Sequence, residues 1–167
     1  MDRLVITVNR RARASEKFLR RAMAVLAALF LLLAIAFSRG MMLPCFLMAV
    51  AYFAYAGASR RAYEYVLENG RMRIDRLTDR GRVTRHEFSL RDVEILALPD
   101  DPAVAPYKKG GGEKVPKFDY TSYEDGVAWY TMIVQEDGRR EKLLLDLTPA
   151  AIARIRAENR GAVKLSP

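Results

Sequence analysis

The hydrophobic and polar positions of this chain follow three patterns in succession. Residues 22–58 are apolar apart from one short interruption, Ser38-Arg39-Gly40, and no charge lies on either side of it. From residue 62 onward, apolar and polar residues alternate between turn signals, as in half-buried strands. Residues 148–161 return to a helical spacing. The patterns predict two apolar helices, a strand-rich domain and a terminal helix.

The apolar stretch is long enough for two membrane spans joined by a tight turn. A span needs about 20 apolar residues, with a range of roughly 17–25. We assign the spans to residues 22–38 and 41–59. The predicted organisation is then a basic N-terminal segment at 1–21, a transmembrane helical hairpin at 22–59 and a cytoplasmic domain at 60–167.

Two other interpretations of the apolar stretch compete with the hairpin. Ala34-Ile35-Ala36, after a basic start, fits the cleavage site of a secretory signal peptide. A second apolar segment follows it at once, which disfavours cleavage. The stretch could also form a buried helix pair of a soluble protein, but neither segment has a polar face.

The position of the charge favours a membrane surface over nucleic acid as the partner. The net charge is +8, and the basic excess lies in residues 1–21 and 60–91, whereas residues 92–167 are net acidic. Basic residues beside a span gain roughly 1 kcal/mol each from anionic lipid. By the positive-inside rule, both flanks of the hairpin are cytoplasmic. We therefore predict a two-span protein of the cell membrane with both termini in the cytoplasm.

Basic residues around the hairpin and on the first predicted strands are candidate contacts for lipid headgroups. Arg60-Arg61 lead directly out of the second span into those strands, which favours contact with the inner leaflet. A solvated sheet face is the alternative for the strand arginines. The candidates are Arg20, Arg21, Arg60, Arg61, Arg71, Arg73 and Arg85.

Residues 1–17 are compatible with two structures. Leu4-Val5-Ile6-Thr7-Val8 is rich in strand-forming residues and suits an edge strand of the downstream domain. The same residues suit the apolar side of an interfacial helix whose arginines face lipid phosphates. We prefer the membrane-surface interpretation.

Turn signals divide the rest of the chain into short strands. Asn69-Gly70 is a strong two-residue hairpin signal, and the stretch 99–116, rich in proline and glycine, predicts a mobile loop. Thr148-Pro149 suits the N-cap and first position of a helix. The predicted strands lie at 62–68, 71–77, 82–88, 93–98, 117–121, 127–135 and 139–147.

One of these strands, Val127–Gln135, is apolar on both faces and should be central and buried. Its Trp129 and Tyr130 are expected to pack in the core, with stacking on a ligand as the alternative. The fold class predicted is an α+β membrane protein. It has an N-terminal two-helix transmembrane hairpin, then about seven antiparallel strands curled into a partial barrel or sandwich, with a C-terminal α-helix plugging one end.

No set of residues in the sequence predicts a reaction, a metal site or a cofactor. Cys45 is the single cysteine and lies in the second apolar segment, and His86 is the single histidine. A disulfide within the chain and a Cys/His metal cluster are therefore not expected. His86 is interpreted as a surface or structural strand residue. Gly110-Gly111-Gly112 lacks the motif of a phosphate-binding loop and is interpreted as a flexible loop.

The whole chain resembles a family of uncharacterised small bacterial membrane proteins. These have a basic N-terminus, two adjacent spans and a cytoplasmic domain similar to bacterial pleckstrin-homology (PH)-like domains. The resemblance rests on the basic start, on the hairpin, on Arg60–Tyr65 running into Asn69–Asp75, and on Leu143–Pro149 leading into the helix. It implies a PH-like fold and a binding or scaffolding role, and it brings no catalytic residues.

Three functional hypotheses follow from the sequence. The first is a membrane-anchored, non-enzymatic module that binds a protein partner or itself, made more effective by tethering in the partner's membrane. The second is recognition of anionic lipid headgroups by the arginine-rich first strands. The third, an enzyme, requires a pocket with convergent, buried titratable groups. We predict the first.

Overall fold

The chain folds into two compact units, of which each is described by itself. One unit comprises Met1–Arg10 and Ala62–Pro167, and the other comprises Arg11–Arg61. We call them the sheet unit and the hairpin unit. The computed structural model describes residues 3–11, 14–37, 40, 42–58, 61–108, 114–136 and 138–165.

The hairpin unit consists of two helices that pack against each other. They are α1 (Ala14–Ala36) and α2 (Met42–Ala58). The thiol of Cys45 donates to the carbonyl oxygen of Ala27 at 3.4 Å. Their remaining surface is strongly apolar, with large side chains exposed along both helices: Val25, Leu29, Leu32, Ile35, Leu43, Phe46 and Phe53.

Among the described residues, one helix is long and apolar enough to cross a membrane. It is Ser15–Ala36, with a mean hydropathy of 2.2 over its most apolar window. The apolar part of α2, Met42–Ala56, is shorter. At about 1.5 Å per residue, the whole of α2 reaches about 25 Å, less than the roughly 30 Å of a hydrocarbon core. The length of α2 alone therefore does not support the second predicted span.

The sheet unit begins with a four-stranded sheet in the order β1-β2-β3-β4. Asn69 and Gly70 both have positive φ, 51° and 71°, as the predicted two-residue turn between β2 and β3 requires. The strands are β1 (Leu4–Arg10), β2 (Arg61–Glu68), β3 (Arg71–Thr78) and β4 (Gly81–Ser89).

The structure of the N-terminal segment differs from the interfacial helix that we preferred. Leu4–Arg10 is a strand beside β2, so the preferred membrane-surface interpretation is wrong for these residues and the strand alternative is observed. The reason is the period of two in its burial. Leu4, Ile6 and Val8 pack on the core, whereas the residues between them are exposed.

The second sheet has the order β5-β7-β8-β6. The short β6 pairs in parallel with β8, whereas the other pairs in this sheet are antiparallel. All seven strands predicted after the hairpin are observed, as β2 to β8. The strands of this sheet are β5 (Val93–Ala97), β6 (Lys117–Asp119), β7 (Tyr130–Glu136) and β8 (Arg139–Leu145).

The two sheets do not close into a barrel, which corrects the predicted partial barrel. The chain leaves the first sheet at a 3-10 turn, Leu90–Asp92. There the amide of Leu90 donates to the carbonyl of Gly70 at 2.8 Å and the Leu90 side chain enters the core. The turn therefore ends the β4 ladder before the chain enters β5.

The core lies between the two sheets and is covered by the C-terminal helix α3 (Pro149–Glu158). As predicted, Thr148 is the N-cap and accepts from the amide of Ala151 at 3.3 Å, with Pro149 following. Ile155 is fully buried. The core contains large side chains with no exposed surface, namely Tyr65, Leu67, Met72, Ile74, Leu96, Met132, Leu143 and Leu145.

Trp129 is not in the core, which corrects the sequence prediction. Its exposed fraction is 39%. The first pair of the β7–β8 ladder is Tyr130 with Leu145, and β8 ends at Leu145, so Trp129 has no partner in the ladder. Tyr130 is half-buried and packs against the core, as expected.

The predicted loop at 99–116 contains one ordered element. Pro102–Tyr107 forms a 3-10 helix, capped by Asp101, whose carboxylate accepts from the amide of Ala103 at 2.8 Å. Val104 from this helix is buried. Gly110-Gly111-Gly112 lies outside the described residues.

Candidate functional site

A recess of about 570 Å³ opens on the sheet unit beside β6 and the segment that follows it. We call it the tryptophan recess, because the exposed indole of Trp129 forms part of its wall. Four acidic residues and one lysine also line it, so its charge is opposite to the net +8 of the chain. These are Asp119, Glu124, Asp125, Asp146 and Lys117.

Asp146 holds the segment after β6 against the end of β8. Its exposed fraction is 8%, and its Oδ2 accepts from the amide of Ser122 at 2.7 Å. The hydroxyl of Ser122 in turn accepts from the amide of Glu124 at 3.1 Å. Asp146 thus orders the backbone of the recess wall and is itself one of the residues that line the recess.

Arg10, at the end of β1, reaches the same wall. Its guanidinium donates to the hydroxyl of Tyr123 and to the carbonyl of Asp119 at 3.2 Å, and it lies 4.2 Å from the centre of the Tyr123 ring. The hydroxyl of Tyr123 donates to the Asp119 carboxylate at 2.7 Å. Tyr123 has a φ of 55°, a region that L-residues rarely adopt, so these contacts stabilise an unfavourable backbone conformation.

The buried side chain of Tyr65 holds the backbone next to this network. The hydroxyl of Tyr65 donates to the carbonyl of Tyr120 at 2.8 Å. Burial raises the pKa of Tyr120 to about 12, and burial is also the main cause of a raised pKa at Tyr65. Both hydroxyls therefore stay protonated near neutral pH and are available as donors.

A second recess, of about 550 Å³, lies between β4 and the β7–β8 hairpin, and we call it the histidine recess. His86 lines it, with Nδ1 3.1 Å from the Glu141 carboxylate and its ring 4.6 Å from that of Phe118. Burial lowers the pKa of His86 more than Glu141 raises it. The imidazole is thus a half-buried strand residue that favours its neutral form.

We expect the stability of the sheet unit to fall as the pH drops below about 6.5, and His86→Gln to lack this part of the fall. Because the native pKa of His86 is below its ordinary 6.5, the unfolded chain takes up the proton first. The contribution of His86 to the free energy of unfolding is therefore complete above pH 6.5, and it is lost as the pH falls through the native pKa. Urea unfolding of both proteins between pH 5 and 7.5 measures the difference.

The comparison is specific because His86 is the only histidine. Ionisable groups that do not contact His86 are common to both proteins and cancel in the difference. Equal pH dependence of the free energy of unfolding in the two proteins would contradict the prediction.

A third recess, of about 500 Å³, lies between the Asn69-Gly70 turn and α3. We call it the arginine recess, because Arg71, Arg91 and Arg154 line it. Arg71 pairs with Glu87 at 3.3 Å. Within the described part of the chain, neither Arg91 nor Arg154 forms an ion pair within 4.0 Å.

The strand arginines predicted to contact lipid are not brought together. Arg71 lines the arginine recess, whereas Arg85 lines the histidine recess. Arg73 is bound to the buried carboxylate of Asp75, with Nε 3.0 Å from Oδ2. Arg61 is exposed at the start of β2. Arg60 lies outside the described residues, and lipid contact by this set stays a prediction.

The hairpin unit brings together two of the arginines that are predicted to contact lipid headgroups. Arg20 and Arg21 line a recess of about 240 Å³ with Lys17 and, from the other helix, Tyr52. We call it the hairpin recess. The guanidinium carbon of Arg20 lies 5.6 Å from the centre of the Tyr52 ring. Three positive charges and one aromatic ring thus meet near the start of α1.

The sequence did not point to the residues that define the tryptophan recess. The sequence predicts Arg10 only as one of the N-terminal arginines that face lipid phosphates from an interfacial helix, and no local pattern distinguishes Asp119 or Asp146. Trp129 is the one signal, because stacking on a ligand is the alternative to core packing for this aromatic residue. The contact from Arg10 to Asp119 spans 109 positions, which no local pattern reveals.

Two four-stranded sheets followed by a C-terminal helix define a PH-like α+β domain. The chain belongs to the family described as "Bacterial PH-like domain (DUF6106)", which matches residues 4–165. No curated protein and no solved structure matches the chain. Its PH-like fold suggests a binding or scaffold module. Because the function of the family is unknown, membership assigns neither a ligand nor a catalytic residue.

Proposed function

We propose that this protein is a membrane-anchored, non-enzymatic binding module. In this proposal the hairpin unit crosses the cell membrane twice and holds the sheet unit at the cytoplasmic face, where it binds a protein partner. PH-like domains are generally non-enzymatic and serve as binding or scaffold modules, which supports the assignment.

The observation that carries the anchoring is that β1 and β2 are neighbours in one sheet. β1 precedes both helices in the chain and β2 follows them. Neighbouring strands lie on the same side of a membrane, so the chain between them must cross an even number of times. A single crossing by α1 would separate the two strands by the bilayer.

With two helices, the even number of crossings is either zero or two. The apolar surface of the helices favours two. Without a membrane, the large apolar side chains exposed along both helices would face water, far beyond what soluble proteins usually expose. A short span such as α2 is tolerated by local thinning of the bilayer and by flanking residues that reach the interface, at a modest cost. The pairing of β1 with β2 requires an even number of crossings, and it thus supports a second crossing that the length of α2 alone does not support.

The same sheet disfavours a signal peptide. Cleavage after Ala36 would remove β1 from the first sheet and Arg10 from its contacts with Tyr123. The orientation rests on charge: Lys17, Arg20 and Arg21 precede the apolar part of α1, which favours a cytoplasmic start.

The partner-binding part of the proposal is tested by crosslinking and affinity capture from native membranes. Specific proteins should be captured with the intact chain and not with a tagged hairpin of residues 11–61. Capture of the same proteins by the hairpin alone would contradict the assignment of binding to the sheet unit.

A second candidate function, binding of anionic lipid headgroups, is favoured by the hairpin recess. Lys17, Arg20 and Arg21 converge there beside Tyr52, at the end of α1 that precedes its apolar part. Basic pockets between membrane helices are sites where acidic headgroups bind. This candidate moves the lipid site from the first strands, whose arginines line separate recesses, to the hairpin.

We expect Arg20→Gln with Arg21→Gln to weaken the preference for anionic over zwitterionic lipid by roughly tenfold or more. Each basic residue contributes about 1 kcal/mol near an acidic surface, and 1.4 kcal/mol is about tenfold. Lipid retained by the purified protein from mixed vesicles measures the preference.

The matched control is Arg71→Gln with Arg85→Gln, which removes the same charge from the first strands. It should retain the preference. Loss of the preference in this control, with retention in the hairpin variant, would instead support lipid recognition by the first strands.

A further inference from the structure

We propose that the tryptophan recess binds a basic side chain of a partner peptide, with an arginine guanidinium held against the indole of Trp129 and the carboxylate of Asp146. The inference rests on the proposed function, because it specifies the chemistry of the partner that the sheet unit binds. The recess is the site, and a basic peptide segment is the ligand.

The charge of the recess selects a cationic ligand. Four carboxylates and one lysine line it, on a chain with eight more basic than acidic residues. An acidic or phosphorylated ligand would meet these carboxylates at close range, where like charges repel strongly. A positively charged side chain is complementary to the same surface.

Asp146 supplies a buried acceptor with spare capacity. Its exposed fraction is 8% and one carboxylate oxygen accepts from the amide of Ser122. No other donor among the described residues contacts this carboxylate. A carboxylate accepts up to four hydrogen bonds, so that of Asp146 can accept further donors from a ligand. A guanidinium with several N–H groups in the recess would supply them.

Trp129 supplies an apolar and π-electron surface for the same ligand. Its indole is 39% exposed on the wall of the recess, which Val127 and Leu144 also line. Tryptophan is the best aromatic partner for a cation, and arginine stacks on aromatic faces more often than lysine. The combination of an exposed indole and a buried carboxylate therefore favours arginine.

The same wall already holds an arginine by this chemistry. The guanidinium of Arg10 lies 4.2 Å from the centre of the Tyr123 ring, donates to the backbone carbonyl of Asp119 at 3.2 Å and lies 3.8 Å from the Asp119 carboxylate. Tyr123 and Asp119 also line the tryptophan recess. Arg10 thus shows, within this fold, an aromatic face and an acidic residue holding one guanidinium.

A metal ion is a less suitable occupant of these carboxylates. Within the described ranges, no group of three or more histidine, cysteine, aspartate or glutamate residues has the arrangement to hold one. The carboxylate of Asp119 is instead engaged by the hydroxyl of Tyr123.

The test uses Trp129 as its own reporter, because it is the only tryptophan of the chain. The full-length protein in detergent micelles is titrated with an acetylated, amidated hexapeptide that contains arginine and no tryptophan, and with the same peptide containing citrulline. Citrulline keeps the shape of arginine and removes the charge. We expect a saturable change in tryptophan emission with arginine and at least tenfold weaker binding with citrulline.

The matched variants are Asp146→Asn and Glu87→Gln. The asparagine keeps an oxygen for the Ser122 amide but loses the charge, so binding should weaken at least tenfold. Glu87 lines the histidine recess, and its variant should bind like the original protein. Should Asp146→Asn unfold, the exposed Asp125→Asn replaces it, and a several-fold weakening is expected.

Equal binding of the two peptides, or undiminished binding by the folded aspartate variant, would overturn the inference. The proposed function is judged separately, by capture of partners from native membranes. If Asp146→Asn still captures the same proteins as the original chain, the binding module stands and the tryptophan recess is not its site.

Discussion

Single cysteines at Thr7 on β1 and at Val83 on β4 are expected to react from the same side of the membrane. Both side chains are exposed on the first sheet, and β1 and β4 belong to that one sheet although the hairpin separates them in the chain. In intact cells a membrane-impermeant maleimide should label neither, whereas in inverted vesicles it should label both. The effect is all or none.

The background for this experiment is Cys45→Ser, which removes the only native thiol. Serine retains a donor for the carbonyl of Ala27 that Cys45 contacts. A third cysteine at Ser38, in the predicted turn, should react in intact cells and provides the matched control. Labelling of Thr7 and Val83 positions from opposite sides would refute an even number of crossings, and cytoplasmic labelling at Ser38 would refute two.

Local patterns predicted most of the sheet unit because its hairpins are encoded by neighbouring residues. Asn69-Gly70 has the positive φ values that a two-residue turn demands, and such residues are recognisable without any tertiary information. The alternation of Tyr63, Tyr65 and Leu67 likewise identifies the face of β2 that packs in the core, although Glu64 and Val66 on its other face are also buried. The start of α3 at Thr148-Pro149 is equally local.

The features that were missed depend on partners far along the chain. The apolar residues of β1 are compatible with a strand or an amphipathic helix, and the partner that decides between them, β2, lies beyond both helices. Trp129 belongs to an apolar run, but the end of β8 at Leu145 leaves it outside the ladder. Position in a sheet, and not composition, determines both outcomes.

The candidate sites show the same limit. Arg71 and Arg73 lie on one face of β3, and the sequence predicts a shared patch there. The structure gives Arg73 a buried partner in Asp75, and Arg71 a place beside α3. By contrast, Lys17, Arg20 and Arg21 are within four positions on one helix, so their convergence in the hairpin recess follows from helical spacing.

A large loss of stability is expected on substitution of Arg10, which joins β1 to the wall of the tryptophan recess. Arg10→Met should lower the free energy of unfolding of the sheet unit by about 2–3 kcal/mol. Removing one partner of a buried ion pair costs about 3–5 kcal/mol; the side chains of Arg10 and Asp119 are 13% and 19% exposed, which reduces this figure. Tyr123 would also lose the guanidinium that stabilises its positive φ.

Urea unfolding followed by the emission of Trp129 measures this loss in the unit that contains the recess. Arg156→Met is the matched control, because Arg156 is exposed on α3 and should change stability by less than about 0.5 kcal/mol. Arg10→Lys should lie between the two, since an ammonium keeps the charge but not the planar, multiply donating group. Equal stability of the Arg10→Met and Arg156→Met proteins would mean that β1 is held by its apolar residues alone, and that the arginine contributes nothing to the wall it contacts.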